Sequence, residues 1–505
     1  MILVNAAPLL KAKRREAMYD ILIKNATVIT LDEAHHIWQP GFVATKGDRL
    51  AMVGPMDSLP EDLNARKVID ADGLCVMPGL VDGHGHAGHT MTKTLGESND
   101  TQFPDAWWLD MAHDIYYHYT DEFFWYAEGA LAAAERIKCG VTTGVSMFGS
   151  TPRADDTDLL QAHFEGSLKT GIRQISGMGS CDGPWPQKPW HYNADGSVTE
   201  SEFTPEQMIY NTEKSVKELN GIHPRQICIP APGTLGYDPS AETREFAIWK
   251  NKEMYRIARE YDKPLHTHLY GGGIEFVYDT TPEILNPRTS LTHCTGLTER
   301  EINILAETGA CLFHGPTTRA NIKKRCPVYE VLRAGGNVAI VTDATSPDRS
   351  YDIWRDMKIF QVLHRAHDND PLLAPPGMVL EMCTKVPAKA LGLEKEIGSL
   401  EEGKKADIII VNTKQPHLVP FGVMPLHRVV YHAQGGDVDT TIVDGQIMME
   451  GRKMLNCDEA QILADAEKAF DIMRGRLGKK FDYFAAYDDS IYTLRNHTMP
   501  NPYKE

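Results

Sequence analysis

The chain has 505 residues, of which 42% are hydrophobic and 24% charged, and its formal net charge is −17. This composition indicates a globular protein with one large domain and a smaller companion. The acidic charge is spread along the chain, which argues against nucleic acid or an anionic membrane as a partner. We therefore expect neither of these to be a partner.

Three features bear on the cellular compartment. The nine cysteines include no CxxC pair, which is typical of free thiols in a reducing environment. The first twenty residues place an apolar run before their charges, the reverse of a secretory signal. No segment reaches the roughly 18 apolar residues that a membrane helix needs. The sequence therefore predicts a cytoplasmic protein.

The two ends of the chain share a pattern in which apolar and polar residues alternate. It runs through residues 19–74 and returns in residues 397–455, with Gly-Asp and Asp-Gly turns. This alternation predicts half-buried antiparallel strands. We expect residues 1–74 and 391–455 to join into one small β-sandwich, followed by a helical and irregular tail over 456–505.

The middle of the chain, residues 75–390, alternates short apolar segments with helical ones. After a first strand that ends at Gly83, strand candidates cover residues 141–148, 173–179, 226–233, 264–271, 289–295, 311–317 and 337–345. Helices are predicted over 239–262 and from a capping box at Thr298. Eight strands with crossover helices predict an α/β fold, a TIM (β/α)₈ barrel. The segment Asp182–Pro205 is predicted to be an irregular loop and a possible lid.

Histidines and one aspartate recur where the predicted strands end. His84 and His86 are two residues apart, so on an extended chain they point to one face. The later strands carry His266 and His268, His293, His314 and Asp343. The C-terminal ends of barrel strands meet at one face, and imidazole with carboxylate suits Zn²⁺ or Fe²⁺. At most one of the strand-five pair, His266 and His268, is needed as a ligand.

These segments carry a resemblance to a known family. PGLVDGHGH, HTHL, LTHC, HGPTTRAN, VTDAT and GSLEEGKKADIIIVN resemble motifs of the amidohydrolase superfamily. The similarity is to the branch of triazine hydrolases, chlorohydrolases and nucleobase or adenosine-derivative deaminases, with some likeness to phenylurea and thiocarbamate hydrolases. It implies a homo-oligomer, a dimer or larger.

The resemblance also implies a metal site and roles for its residues. One divalent ion, Zn²⁺ ahead of Fe²⁺, Co²⁺ or Mn²⁺, would be held by His84, His86, His268 and Asp343. Asp343 and His293 would be catalytic, Asp343 moving the proton of an attacking metal-bound hydroxide and His293 stabilising the developing oxyanion. Strand four reads QICIPAPG and has no lysine to bridge a second metal. Substrate contacts are predicted for His293, His89, Tyr270, Gly271, Trp107 and His314.

One position departs from the deaminase pattern. Deaminases of this branch carry a glutamate three residues after the strand-five histidine, where it protonates a ring nitrogen. Here that position is Gly271, and the nearest glutamate is Glu275. A substrate with its own polarisable carbonyl does not need this acid.

The sequence thus predicts a mononuclear metal-dependent hydrolase that cleaves a carbon–nitrogen or similar carbon–heteroatom bond of a small-molecule substrate, with an amide, urea or carbamate carbonyl slightly favoured. The alternative is a deaminase or chlorohydrolase of a purine, pyrimidine or triazine. A metal-dependent lyase or decarboxylase and a non-catalytic binding protein on the same fold are further alternatives.

Overall fold

The computed structural model describes residues 18–95, 107–149, 153–179, 185–193, 195–240, 242–318 and 325–485. The side chains of residues 107–110, 483 and 484 also lie outside this description. The part of the predicted irregular tail after residue 485 and the predicted substrate contact of the Trp107 side chain therefore fall outside the described part. Among the described residues, no helix combines the length and the apolar character that crossing a membrane requires.

The strands, in chain order, are β1 (Tyr19–Ile29), β2 (Ile37–Lys46), β3 (Arg49–Pro55), β4 (Ala65–Asp70), β5 (Cys75–Pro78), β6 (Leu80–Asp82), β7 (Val141–Met147), β8 (Arg173–Met178), β9 (Trp190–Tyr192), β10 (Val198–Glu200), β11 (Gln226–Pro230), β12 (Leu265–Leu269), β13 (Thr289–His293), β14 (Cys311–His314), β15 (Asn337–Ile340), β16 (Ile408–Val411), β17 (Val438–Val443), β18 (Gln446–Glu450) and β19 (Lys453–Met454). The α-helices are Trp107–His118, Glu122–Lys138, Thr157–Lys169, Pro205–Glu218, Arg244–Glu260, Gly273–Thr280, Glu299–Thr308, Val328–Arg333, Ile353–Asp368, Pro376–Glu381, Lys385–Ala390, Pro425–His432, Glu459–Leu477 and Lys479–Phe484.

Strands from both ends of the chain form one nine-stranded sheet. Its order is β19-β18-β17-β16-β5-β1-β2-β3, and β4 pairs in parallel with β1. The junction between the two ends is the antiparallel pairing of β16 with β5, in which Ile410 lies opposite Val76. Ile23, Val43 and Ile410 belong to one buried apolar cluster on this sheet. The predicted joining of the chain ends therefore occurs through backbone pairing as well as side-chain packing.

The middle of the chain contains two four-stranded parallel sheets, ordered β6-β7-β8-β11 and β12-β13-β14-β15. Single bridges link their edges, Gly85 with Asp343 at one side and Thr234 with His268 at the other. Every residue of β7 and β8 is buried, as expected when helices cover a parallel sheet. These strands lie where the sequence predicted them, and the predicted capping box at Thr298 is present.

The first predicted strand is in fact two strands that belong to different sheets. β5 pairs in the nine-stranded sheet, whereas β6 pairs with β7. Gly79 separates them, and a Cβ there would lie 2.3 Å from the side chain of Thr142. The chain changes sheets at a point where it packs too closely for any larger residue.

The predicted lid segment contains regular structure that the sequence analysis missed. β9 and β10 form an antiparallel hairpin in which Tyr192 lies opposite Val198. The Tyr192 hydroxyl donates to the backbone carbonyl of His118 at 2.8 Å, and the Arg476 guanidinium lies 3.6 Å from the Tyr192 ring centroid. The expectation of an irregular loop was wrong here because these contacts with distant helices order the segment.

A buried charge cluster joins the parallel strands to the nine-stranded sheet. Arg173, at the start of β8, donates to Asp407 at 2.5 and 3.1 Å and also to Asp444. Asp444 accepts a further bond from Arg225 at 2.8 Å. Asp407 precedes β16 and Asp444 follows β17, so these ion pairs connect the parallel strands to the nine-stranded sheet.

Asp407→Ala should lower the free energy of unfolding by about 3 kcal/mol, because it leaves the buried Arg173 guanidinium short of a partner. Urea denaturation followed by circular dichroism measures the change. Arg66→Ala, which removes an exposed ion pair with Asp20, should cost at most about 1 kcal/mol. Equal, small effects of both substitutions would show that the buried cluster does not hold the two parts together.

Candidate metal centre

Strand β6, which leads into His84 and His86, is held in place by hydrogen bonds to its last residue, Asp82. Asp82 accepts bonds from Arg136 Nε at 3.1 Å and from the Thr342 hydroxyl at 2.7 Å. Glycines on either side of His84 permit this packing: a Cβ at Gly83 would lie 2.5 Å from the Phe313 ring, and one at Gly85 would lie 2.4 Å from the Arg136 guanidinium. The glycines of the GHGH motif thus allow the neighbouring chain to pack against the histidine backbone.

Two imidazoles have their tautomers set by backbone carbonyls. The Nδ1 atom of His86 lies 2.9 Å from the carbonyl oxygen of Gly149, and that of His268 lies 2.8 Å from the carbonyl oxygen of Gly233. A carbonyl oxygen only accepts, so each Nδ1 carries the proton and each Nε2 presents a lone pair. These two Nε2 atoms are 3.2 Å apart. Two lone pairs at that distance repel each other unless a cation lies between them.

A chain of hydrogen bonds fixes the orientation of the His84 ring. Its Nδ1 lies 2.7 Å from His266 Nε2, and His266 Nδ1 lies 2.6 Å from the Ser290 hydroxyl. The Nε2 of His84 faces Asp343 Oδ1 at 3.1 Å. The structure therefore separates the strand-five pair: His268 joins the cluster, and His266 lies behind His84 and orients it.

Asp343 completes the cluster from the loop after β15. Its backbone is left-handed, with φ +62°, and its N–H donates to the carbonyl of His84 at 3.0 Å. Oδ1 lies 3.1 Å from His84 Nε2 and 3.4 Å from His86 Nε2, and Oδ2 accepts a bond from Arg349 at 3.1 Å. Burial alone would raise the pKa of Asp343, but the charge of Arg349 holds it well below its ordinary value.

These donor atoms fit one divalent ion. Two groups of side chains, His84 with His86 and His268, and His84 with His293 and Asp343, each bring their ligand atoms within 4.8 Å of one another. Tetrahedral zinc with bonds of about 2.0–2.1 Å places its ligand atoms about 3.4 Å apart, close to the contacts above. Burial lowers the pKa of His84 and of His268 well below the usual value. Both rings are therefore neutral and free to ligate.

His293 lies at the edge of this cluster with one nitrogen unused. Its ring stacks on His268 at 5.2 Å and on Tyr270 at 5.5 Å. The buried Nδ1 atom has no hydrogen-bond partner among the described residues. Burial lowers the pKa of His293 to about 4. A neutral imidazole with an unused nitrogen beside the ligand cluster is suited to a substrate, as is the half-exposed Tyr270 ring.

The other predicted contacts lie at different distances from the cluster. His89 is buried, its ring 5.3 Å from that of His86 and 5.6 Å from that of Tyr116. His314 faces away, since its Nε2 lies 3.0 Å from His364 Nε2. The structure thus brings His89 beside the cluster and places His314 in a separate buried pair.

The loop after β12 shows why no glutamate occupies the expected position. A Cβ at Gly271 would lie 2.1 Å from the carbonyl oxygen of Gly296, so a glutamate there requires the backbone to move. Glu275 accepts bonds from the Thr298 hydroxyl at 2.6 Å and from Arg300 at 3.1 Å. Glu301 holds the loop itself by accepting from the N–H of Gly272 at 2.8 Å. In this conformation Glu275 does not replace the missing acid.

Sequence analysis missed Arg349, which contacts Asp343. The signal was present as an arginine six residues after the aspartate, in the segment DATSPDRS. An isolated arginine in a loop is usually exposed, so only its burial here reveals its role.

His268→Ala should reduce bound metal from about one ion per chain to nearly none, with loss of activity, because it removes one lone pair from the cluster. Elemental analysis of the purified protein measures this. His367→Ala, at a half-exposed ring outside the cluster, is the matched control and should keep its metal. A His268→Ala protein with full metal content would remove this residue from the ligand set.

About nine-tenths of the chain has counterparts among known proteins. The Amidohydrolase family matches residues 75–448. A 5-methylthioadenosine/S-adenosylhomocysteine deaminase of Moorella thermoacetica is 31% identical over 471 residues, covering 89% of this chain and 99% of the relative. A 5′-deoxyadenosine deaminase of Methanosarcina mazei is 30% identical over 477 residues, covering 91% of this chain and 100% of the relative.

Solved structures share the fold. An adenosine deaminase from Xanthomonas campestris with bound zinc superimposes with a TM-score of 0.73 at 21% identity, covering 90% of this chain and 99% of that one. An atrazine chlorohydrolase from Arthrobacter aurescens complexed with zinc gives 0.72 at 20% identity, covering 89% and 100%. The family match spans well over half of the chain, and the sequence-based resemblance is confirmed. The chain belongs to the amidohydrolase family.

Proposed function

We propose that this chain is a mononuclear zinc hydrolase that cleaves a carbon–nitrogen bond of a small molecule. His84, His86, His268 and Asp343 would hold the ion. The observation that carries the proposal is the 3.2 Å distance between the Nε2 atoms of His86 and His268. The Asp343 carboxylate lies beside them, 3.4 Å from His86 Nε2. Zinc in the two solved relatives supports the choice of metal.

The ion and the residues proposed to surround it would have different roles in the reaction. A divalent ion lowers the pKa of a bound water to near neutrality and so supplies a nucleophile. Asp343, held anionic, would accept a proton from the attacking water and return it to the leaving nitrogen. His293, through its unused nitrogen, binds the substrate atom that gains negative charge as the carbon becomes tetrahedral.

The first candidate reaction is hydrolytic deamination of an adenosine-type heterocycle. It is supported by relatives that match about nine-tenths of this chain and are named as deaminases of adenosine derivatives. The comparisons thus favour the reaction that the sequence analysis placed second, ahead of carbonyl hydrolysis.

The second candidate is hydrolysis of an amide, urea or carbamate carbonyl. It is favoured by one observation, the loop in which Gly271 packs on Gly296 while Glu275 is bonded to Thr298 and Arg300. Without an acid at this position a purine ring nitrogen lacks its usual proton donor. A carbonyl oxygen needs only the ion and His293.

We also propose the finer architecture. The eight strands β6, β7, β8 and β11 to β15 would close a (β/α)₈ barrel through the bridges at Gly85 and Thr234, and the nine-stranded sheet would be the predicted sandwich of both chain ends. The pairing of β5 favours Gly79, rather than residue 74, as the first domain boundary. A homo-oligomer stays a proposal by analogy.

Two assays separate the candidate reactions. The zinc-loaded protein is incubated with 5′-deoxyadenosine, 5-methylthioadenosine and S-adenosylhomocysteine, and ammonia is measured, beside phenylureas and carbamates for which released amine is measured. The first candidate predicts ammonia from at least one nucleoside and no amine from ureas. The second predicts the opposite result. An Asp343→Asn protein should be inactive in both assays, and turnover that survives this change would contradict the proposed role of Asp343.

His293→Ala should lower kcat by about 10²–10³-fold, the usual cost of losing one donor to a developing negative charge. Metal content should stay at the wild-type level, unlike that of His268→Ala. Steady-state kinetics with parallel elemental analysis measures both quantities. Unchanged kcat would show that His293 makes no contact with the reacting atoms.

A further inference from the structure

Arg349 is buried against the ligand cluster, where a cation is unexpected beside a divalent ion. Its residue is only 8% exposed, so it is not available to bind a substrate from solvent. Nη1 donates to Asp343 Oδ2 at 3.1 Å and to the Thr318 hydroxyl at 2.7 Å. Nη2 donates to the backbone carbonyl of Ser346. Three acceptors, two in its own loop and one at Thr318, thus hold the guanidinium in place.

The two oxygens of Asp343 are divided between different partners. Oδ1 faces His84 Nε2 at 3.1 Å and His86 Nε2 at 3.4 Å. Oδ2 accepts the bond from Arg349 at 3.1 Å. A carboxylate whose oxygens are both free can bind a cation with one oxygen or with both. Here the arginine takes up the second oxygen.

The loop that carries Arg349 is itself fastened to the loop after β6. The Ser346 hydroxyl donates to the carbonyl of Thr92 at 3.0 Å, and the N–H of Thr94 donates to the carbonyl of Pro347 at 2.8 Å. The position of the guanidinium therefore does not depend on Asp343 alone. The guanidinium can therefore keep its position and determine how the Asp343 carboxylate is oriented.

We propose that Arg349 is a positioning residue that restricts Asp343 to binding the metal through Oδ1 alone, which keeps one coordination position open for solvent and substrate. This rests on the proposed ligand set. Loss of the arginine would free Oδ2 to bind the ion as well, raising the coordination number and closing the open position. It would also remove a positive charge beside the ion, so the metal would be held more tightly.

This role predicts that loss of Arg349 tightens metal binding, whereas loss of a merely structural residue would weaken it. Loss of an outer partner that only orients a ligand weakens metal affinity by about 10–100-fold. Loss of Arg349 should instead slow release of the metal to a chelator, by about 10-fold, while kcat falls. The visible absorption of the cobalt(II)-substituted protein should also weaken, because cobalt(II) absorbs less strongly as its coordination number rises.

The test compares wild type, Arg349→Gln and Arg349→Lys, each loaded with cobalt(II), by absorption spectrum and by release to a chelator. Lysine can reach Oδ2 with one bond, so it should return both readouts toward wild type. Thr318→Val, which removes one anchor of the guanidinium with little change in shape, should shift both readouts part of the way and decides the matter if Arg349→Gln does not fold.

Weaker absorption with slower release supports the proposal. An unchanged spectrum, or faster release, in the folded variants overturns it. Wild-type protein that binds no metal would instead contradict the proposed ligand set, and the two failures are therefore distinct.

Discussion

The structure depends on electron-pair donors being held face to face. His86 and His268 direct their Nε2 lone pairs at each other across 3.2 Å, and the Asp343 carboxylate lies against both His84 and His86. Such an arrangement is unfavourable by itself in a buried site. It becomes favourable when a cation occupies the centre. The rest of the fold must therefore hold the ligands together against their mutual repulsion until an ion binds.

Most of the surrounding polar structure serves to hold these donors. The carbonyls of Gly149 and Gly233, after β7 and β11, set two tautomers, and the His266–Ser290 pair sets the third ring. Asp82, at the end of β6, accepts hydrogen bonds from Thr342, which follows β15. Because the groups that hold the ligands lie on or after several different strands, the site forms only when those strands come together.

The glycine loop after β12, a different part of the structure, bears on the proposed reaction. Glu301 is fully buried and accepts the N–H groups of Gly272 and Ile274, which fixes the loop close to Gly296. This packing excludes a side chain at Gly271. The relatives by sequence are named as deaminases of adenosine derivatives, whereas this loop is the observation behind the proposed carbonyl substrate.

The sequence by itself determined the strand positions and the strand ends that carry His84, His86, His268, His293 and Asp343. These follow from local patterns, namely apolar runs, glycines and the two-residue repeat of an extended chain. Only the tertiary structure decided that His268 and not His266 joins the cluster, that Gly79 divides two strands, that a hairpin orders the predicted lid, and that Arg349 lies on Asp343. Each of these depends on which atoms of distant segments come within bonding distance, and that information is absent from any local stretch of residues.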